Sequence, residues 1–226
     1  MMNVRPSEIH ARMGTDAGIA IGPILFIIAV LGILAAAISA GSGSFSNSTT
    51  NESNNTKAAA LMDIGQSMKM GFDRIMGEQG TAVNAVNLAT TDLNDVNGLF
   101  SPIGGGMSPP SKTMSYNSGT GTWYFPMLNL TAVGVGTAAG SRVAMIQVDS
   151  SVCTTINTKA NGQTLPTATV AIPDVTAAST NNGVTVLTVA ATQWGISSAV
   201  TGCVQEEATT GGLTAGYYFF QVLGIQ

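Results

Sequence analysis

The chain has 226 residues, with 8 Lys or Arg, 12 Asp or Glu and a single His, and only 9% of its residues are charged. Average soluble domains carry about 25%. His10 lies near the N-terminus, so no Ser-His-Asp or Cys-His system can form across a membrane from it, nor can a multi-histidine metal site form anywhere. A net charge of −4 argues against neutralising nucleic-acid phosphates. The 45% hydrophobic content is sufficient for a core. The expectation is therefore one folded domain with an appended segment, no cofactor, no metal and no enzymatic activity.

Residues 17–51 carry no charge, and residues 19–40 read IAIGPILFIIAVLGILAAAISA. About 20 apolar residues, rising ~1.5 Å each in a helix, cross a bilayer core. A transmembrane helix is predicted over 19–41, with Pro23 in its first turn, where a missing N–H costs nothing. Arg5 and Arg12 precede the run and Lys57 is the first cation after it. That asymmetry puts the N-terminus in the cytoplasm and the bulk of the chain outside. A cleaved secretory signal competes, because Ala35-Ala36-Ala37 and Ser39-Ala40-Gly41 offer small residues near Ala40. Gly14, Gly18 and Gly22 make two overlapping G-x-x-x-G repeats, more simply read as chance or local packing than as a helix-pairing site.

The stretch from Gly18, GIAIGPILFIIAVLGILAAA, resembles the N-terminal region of type IV pilins and pseudopilins. The resemblance covers about 25 residues and is carried by Gly18, the apolar run with Phe26, and Ala29-x-x-Gly32-Ile33-Leu34-Ala35-Ala36. It implies a leader over 1–18, cut by a prepilin peptidase between Gly18 and Ile19, with methylation of the new terminus. It also implies a helix that first anchors the subunit in a bacterial inner membrane and then packs in a filament core, at the cell surface or as a periplasmic pseudopilus. Cleavage after Gly14 is an alternative. The sequence departs from the family at Pro23, where a glutamate usually stands, and at Ile19, where Phe or Met is usual. An unpaired buried charge is costly, so a subunit without the carboxylate that neutralises a neighbour's amino terminus is expected to assemble less readily into a homopolymer, as in some minor tip subunits of the family; major and minor subunit both stay open.

Residues 42–56, SGSFSNSTTNESNNT, read as a flexible linker. In the pilin family the helix more often runs on unbroken. N-x-S/T triplets start at Asn47, Asn51 and Asn54, and composition explains them. Over 57–79 the apolar residues Leu61, Ile64, Met68, Phe72, Ile75 and Met76 follow helical spacing, and a Met-rich stripe is read as a packing face. Gly77 and Gly80 close this helix. A weaker helix is predicted after it, with Val83, Val86, Leu93, Val96 and Phe100 on one side, completing a helical region over 57–100.

Residues 101–226 are read as an exported β-rich domain. Gly104-Gly105-Gly106 lacks the Gly-Lys-Ser/Thr that a phosphate loop needs. Strands are predicted at 122–125, 128–135, 142–148, 167–172, 183–190 and 217–223, with a short helix at 152–159. The fold class is α+β, with a mainly antiparallel sheet and the amphipathic helix on one face. Cys153 and Cys203 suit one disulfide, worth at most about 4 kcal/mol by chain entropy, although two free buried cysteines remain open. Glu206-Glu207 is the lone carboxylate pair of this region and is read as a solvated turn. Trp123, Tyr124, Phe125 and Trp194 could line a carbohydrate site but are more simply core. The partners expected are a membrane, other filament subunits and the prepilin peptidase. The competing function is a single-pass envelope protein whose exported domain binds a ligand and never polymerises.

Overall fold

A computed structural model describes residues 21–110, 121–163, 169–170, 186–188, 198–206 and 213–226. The helix α1 (Ile21–Gln79) comes first. Strands β1 (Trp123–Tyr124), β2 (Met127–Asn129) and β3 (Ser141–Val148) follow, then helix α2 (Ser150–Asn161). Strands β4 (Thr169–Val170), β5 (Val186–Thr188), β6 (Thr201–Glu206) and β7 (Gly216–Ile225) complete the fold. The architecture is α+β, as the periodicity predicts.

Residues 51–226 form one compact unit, and residues 1–50 are grouped separately. In the compact unit the strands make a mixed sheet in the order β4-β6-β7-β3-β2-β5, with β1 also paired to β3. Its centre is antiparallel: β3 runs against β1, β2 and β7, and β6 against β7. The short edge strands β4 and β5 are parallel to β6 and β2, a correction to the mainly antiparallel expectation only at the margins.

The two-residue period of β3 and β7 builds two apolar layers. On one face Ala144, Ile146, Val148, Phe219 and Leu223 meet Leu61, Met68, Phe72 and Ile75 of α1, and Val152 and Ile156 of α2. On the other, Val143, Met145, Tyr218, Phe220 and Val222 pack with Leu128, Leu130, Val133 and Leu213. All but one of the residues of β3 are therefore buried. Helix α1 lies close to the sheet at Gly65, where an added Cβ would stand 2.9 Å from Phe219 Cζ. It ends where Gly80 takes a φ of 63°, a turn of the backbone that favours glycine.

Three expectations need correction. Residues 42–56 are helical, within α1, rather than a flexible linker. Ser, Asn and Thr are poor but not prohibitive helix formers, and with no proline after Pro23 elongation from the flanks costs only fractions of a kcal/mol per residue. The predicted second helix is a single 3-10 turn at Val83–Ala85 followed by a stitched loop. There, Asn87 Oδ1 accepts the Ala89 N–H at 2.9 Å and Asp95 Oδ1 accepts the Asn97 N–H at 2.8 Å, local bonds that compete with helix. The predicted strand at 128–135 stops at Asn129 and continues as a 3-10 turn, Thr131–Val133. The strand β6 was not anticipated at all.

Candidate functional site

The N-terminal stretch of α1 is the feature most in need of a partner. Phe26, Ile27, Ile28, Val30, Leu31 and Ile33 are all exposed, Phe26 at 71% and Ile33 at 70%. Successive helical residues are about 100° apart, so these six spread over roughly 220° of the helix circumference, and the small residues Ala29 and Gly32 occupy the remaining side. Large exposed apolar surface of this kind is unfavourable in water. Gly32 is free of neighbours within 4 Å. Pro23 and Leu34 both belong to α1. Gly18 and Ile19, the expected processing point, lie outside the described residues, as do Gly14 and His10. Among the described residues no helix is long and apolar enough to cross a membrane.

The sulfurs of Cys153 in α2 and Cys203 in β6 are bonded, with the Cα atoms 5.4 Å apart, so the disulfide alternative holds over free thiols. Both cysteines are fully buried. Asn157, one turn after Cys153, is buried with them. Its Nδ2 donates to the Cys203 carbonyl at 2.9 Å, and its Oδ1 accepts the Cys203 N–H at 2.7 Å.

Among the described residues no group of three or more His, Cys, Asp or Glu could hold a metal ion. Glu206 is not in a solvated turn. It is the last residue of β6 and 1% exposed, because alternation along the strand turns it inward; Glu207 lies outside the described residues. Arg142, on β3, is also buried, and its Nη1 donates to the Phe125 carbonyl at 2.8 Å. Burial lowers its pKa to about 10.

The aromatic residues behave as core. Trp123 stands edge-on to Phe219, Tyr124 edge-on to Tyr218, and Phe125 packs near Phe100; Trp194 lies outside the described residues. The triple glycine serves packing, since a Cβ on Gly105 would strike the Leu99 carbonyl. A shallow groove of about 530 Å³ runs beside α1 and is lined by Glu52, Asn55, Thr56, Ala59, Asp63 and Lys159. It holds one cation and two carboxylates on an open surface, without a buried polar group to orient a substrate. A second hollow of about 150 Å³ lies between Met76 and the strand end Val222–Ile225. The second hollow is also lined by the Lys69–Asp73 ion pair. The chain matches no protein-family model, no curated protein and no solved structure.

Proposed function

We propose that the protein is a structural subunit of a type IV pilus-like or pseudopilus filament, without enzymatic activity. The observation that carries this reading is the apolar stretch 26–33 of α1, exposed to solvent, whereas Ala58, Leu61, Met68, Phe72 and Ile75 further along the same helix are buried in the core. A bilayer covers such a stretch in the precursor, and the same stretch of neighbouring subunits covers it in a filament. The apolar sequence 19–40, the glycine-ended leader and the α+β domain with its disulfide support the same reading. Processing falls between Gly18 and Ile19, and the helix 19–41 anchors the precursor in the inner membrane.

Mass spectrometry of the mature N-terminus tests it. An end at Ile19, carrying an added methyl group, is expected; an intact Met1 or an end near Ala40 overturns the processing claim. Pro23 favours a second reading, a single-pass envelope protein that binds a partner and never polymerises, since it supplies no carboxylate to a neighbouring amino terminus. Sheared surface filaments containing the protein decide for the first reading, and its retention solely in the membrane fraction decides for the second.

A further inference from the structure

Three side chains of α2, Cys153, Asn157 and Asn161, recur every four residues and share one face of the helix. All three engage β6. Cys153 is bonded to Cys203, Asn157 makes both amide bonds to the Cys203 backbone, and Asn161 Nδ2 donates to the Thr201 carbonyl at 3.1 Å. The spacings match: four helical residues rise about 6 Å, and two strand residues about 6.6 Å. Among the described residues β4 pairs with β6 at Gln205 and Glu206, and the asparagines engage the stretch before that, Thr201 to Cys203. Between them sits Gly202, where an added Cβ would come 2.9 Å from Asn161 Nδ2 and 3.2 Å from Asn157 Oδ1. Only a residue without a side chain lets the amides lie on the strand this closely.

We infer that Asn157 is a positioning residue for the Cys153–Cys203 disulfide: its amide docks α2 on β6 while both cysteines are still thiols and holds them ready to close. The inference does not depend on the filament reading. With glutathione disulfide as oxidant, one cysteine thiolate attacks it and releases a glutathione thiolate. The second cysteine thiolate then attacks the mixed disulfide, forming the Cys153–Cys203 bond and expelling the second glutathione. The two protons lost by the cysteines go to the two glutathione thiolates. The second step is intramolecular, so its equilibrium depends on how near the reduced fold keeps the two sulfurs. A change that weakens oxidised and reduced folds equally leaves that equilibrium where it was.

The test is thiol–disulfide equilibration of the full chain, held in detergent, across glutathione buffers, with the disulfide fraction read by alkylation and mass spectrometry. Asn157→Ala is expected to lower the equilibrium constant for closure about tenfold, or about 30 mV for this two-electron couple. Ile156→Val, a buried change on the same helix, is expected to leave it within about twofold because it removes packing but no bond to β6. Equal constants for Asn157→Ala and the native chain overturn the inference, as does an equally large shift in Ile156→Val. Hydrogen exchange supplies a second measurement that needs no alanine variant. In the reduced native chain the Cys203 amide is expected to exchange slowly, and in Asn157→Asp, which keeps the acceptor for that N–H, it stays slow while closure weakens less than in alanine. Rapid exchange at Cys203 in the reduced native chain shows α2 undocked and overturns the inference even where Asn157→Ala does not fold.

Discussion

Tyr218 shows how a single buried hydroxyl ties stability to pH. Its ring is buried in the layer behind the sheet, and its hydroxyl donates to the Thr214 carbonyl at 2.9 Å. Burial raises the phenol's pKa; Tyr124 and Glu206 add to that rise, while the bonds to Thr214 oppose it. An unfolded tyrosine ionises near pH 10, whereas Tyr218 in the fold keeps its proton to higher pH. The contribution is therefore fully present below pH 10 and is lost as the pH rises toward the folded value. Arg142 has the opposite sign. Burial lowers it to about 10, so above that pH the folded chain releases a proton that the unfolded chain still binds, and stability rises. Tyr218→Phe separates the two. Denaturant titrations are expected to show a loss of about 1 kcal/mol from the missing hydrogen bond below about pH 10, narrowing as the pH rises above it. The alkaline decline should also be shallower than in the native chain. A slope identical in both chains would mean that Tyr218 ionises in the fold as it does in the unfolded chain.

The contact between α1 and the sheet sets the limits on what each helix position tolerates. Alanine is intrinsically better than glycine in a helix by about 1 kcal/mol. At Gly77 an added Cβ meets nothing within 4 Å, so Gly77→Ala is expected to stabilise by up to that amount. At Gly65 the same methyl would stand 2.9 Å from Phe219 Cζ and 3.1 Å from Gln221 Cβ, both on the central strand β7. Overpacking costs about 1–3 kcal/mol, so Gly65→Ala is expected to destabilise despite its propensity gain. Thermal melts of the two variants, moving in opposite directions from the native chain, check the argument. The packed half of α1 was legible because Leu61, Met68, Phe72 and Ile75 keep a helical period and all reach the core. The helical state of 42–56 was not, since its polar composition fits a linker as well as an exposed helix. Strand β6 was missed because Gly202 interrupts its pattern, and that glycine is explained by distant neighbours, Asn157 and Asn161 of α2 and Phe220 of β7. The loop after α1 looked helical because Val83, Val86, Leu93 and Val96 happen to be spaced for it, while the Asx bonds that prevent helix formation leave no periodic trace.

At the scale of the whole chain, the scarcity of charge divides into two parts with different physical causes. The hydrophobic core is drawn from residues between Ala58 and Leu223, whereas the large apolar side chains at 26–33 are exposed. In the core, few charges follow from a sheet buried on both faces, which leaves little room for ionised groups. In the first part, the proposed function places the uncharged apolar residues in a bilayer or a filament core, and a single charge among them is the most direct probe of which covers them. Val30 lies near the centre of residues 19–40 and is exposed on α1. An arginine at the centre of a membrane helix costs about 2.5–3.5 kcal/mol of insertion free energy, so Val30→Arg is expected to shift the membrane partition of the full chain by about a hundredfold. Because Val30 is no part of the hydrophobic core, the same substitution is expected to leave the melting of the α+β unit unchanged, as followed by near-ultraviolet circular dichroism. Loss of the membrane fraction with an intact melt assigns the exposed helix to the bilayer. An unchanged membrane fraction would instead mean that protein rather than lipid covers residues 26–33.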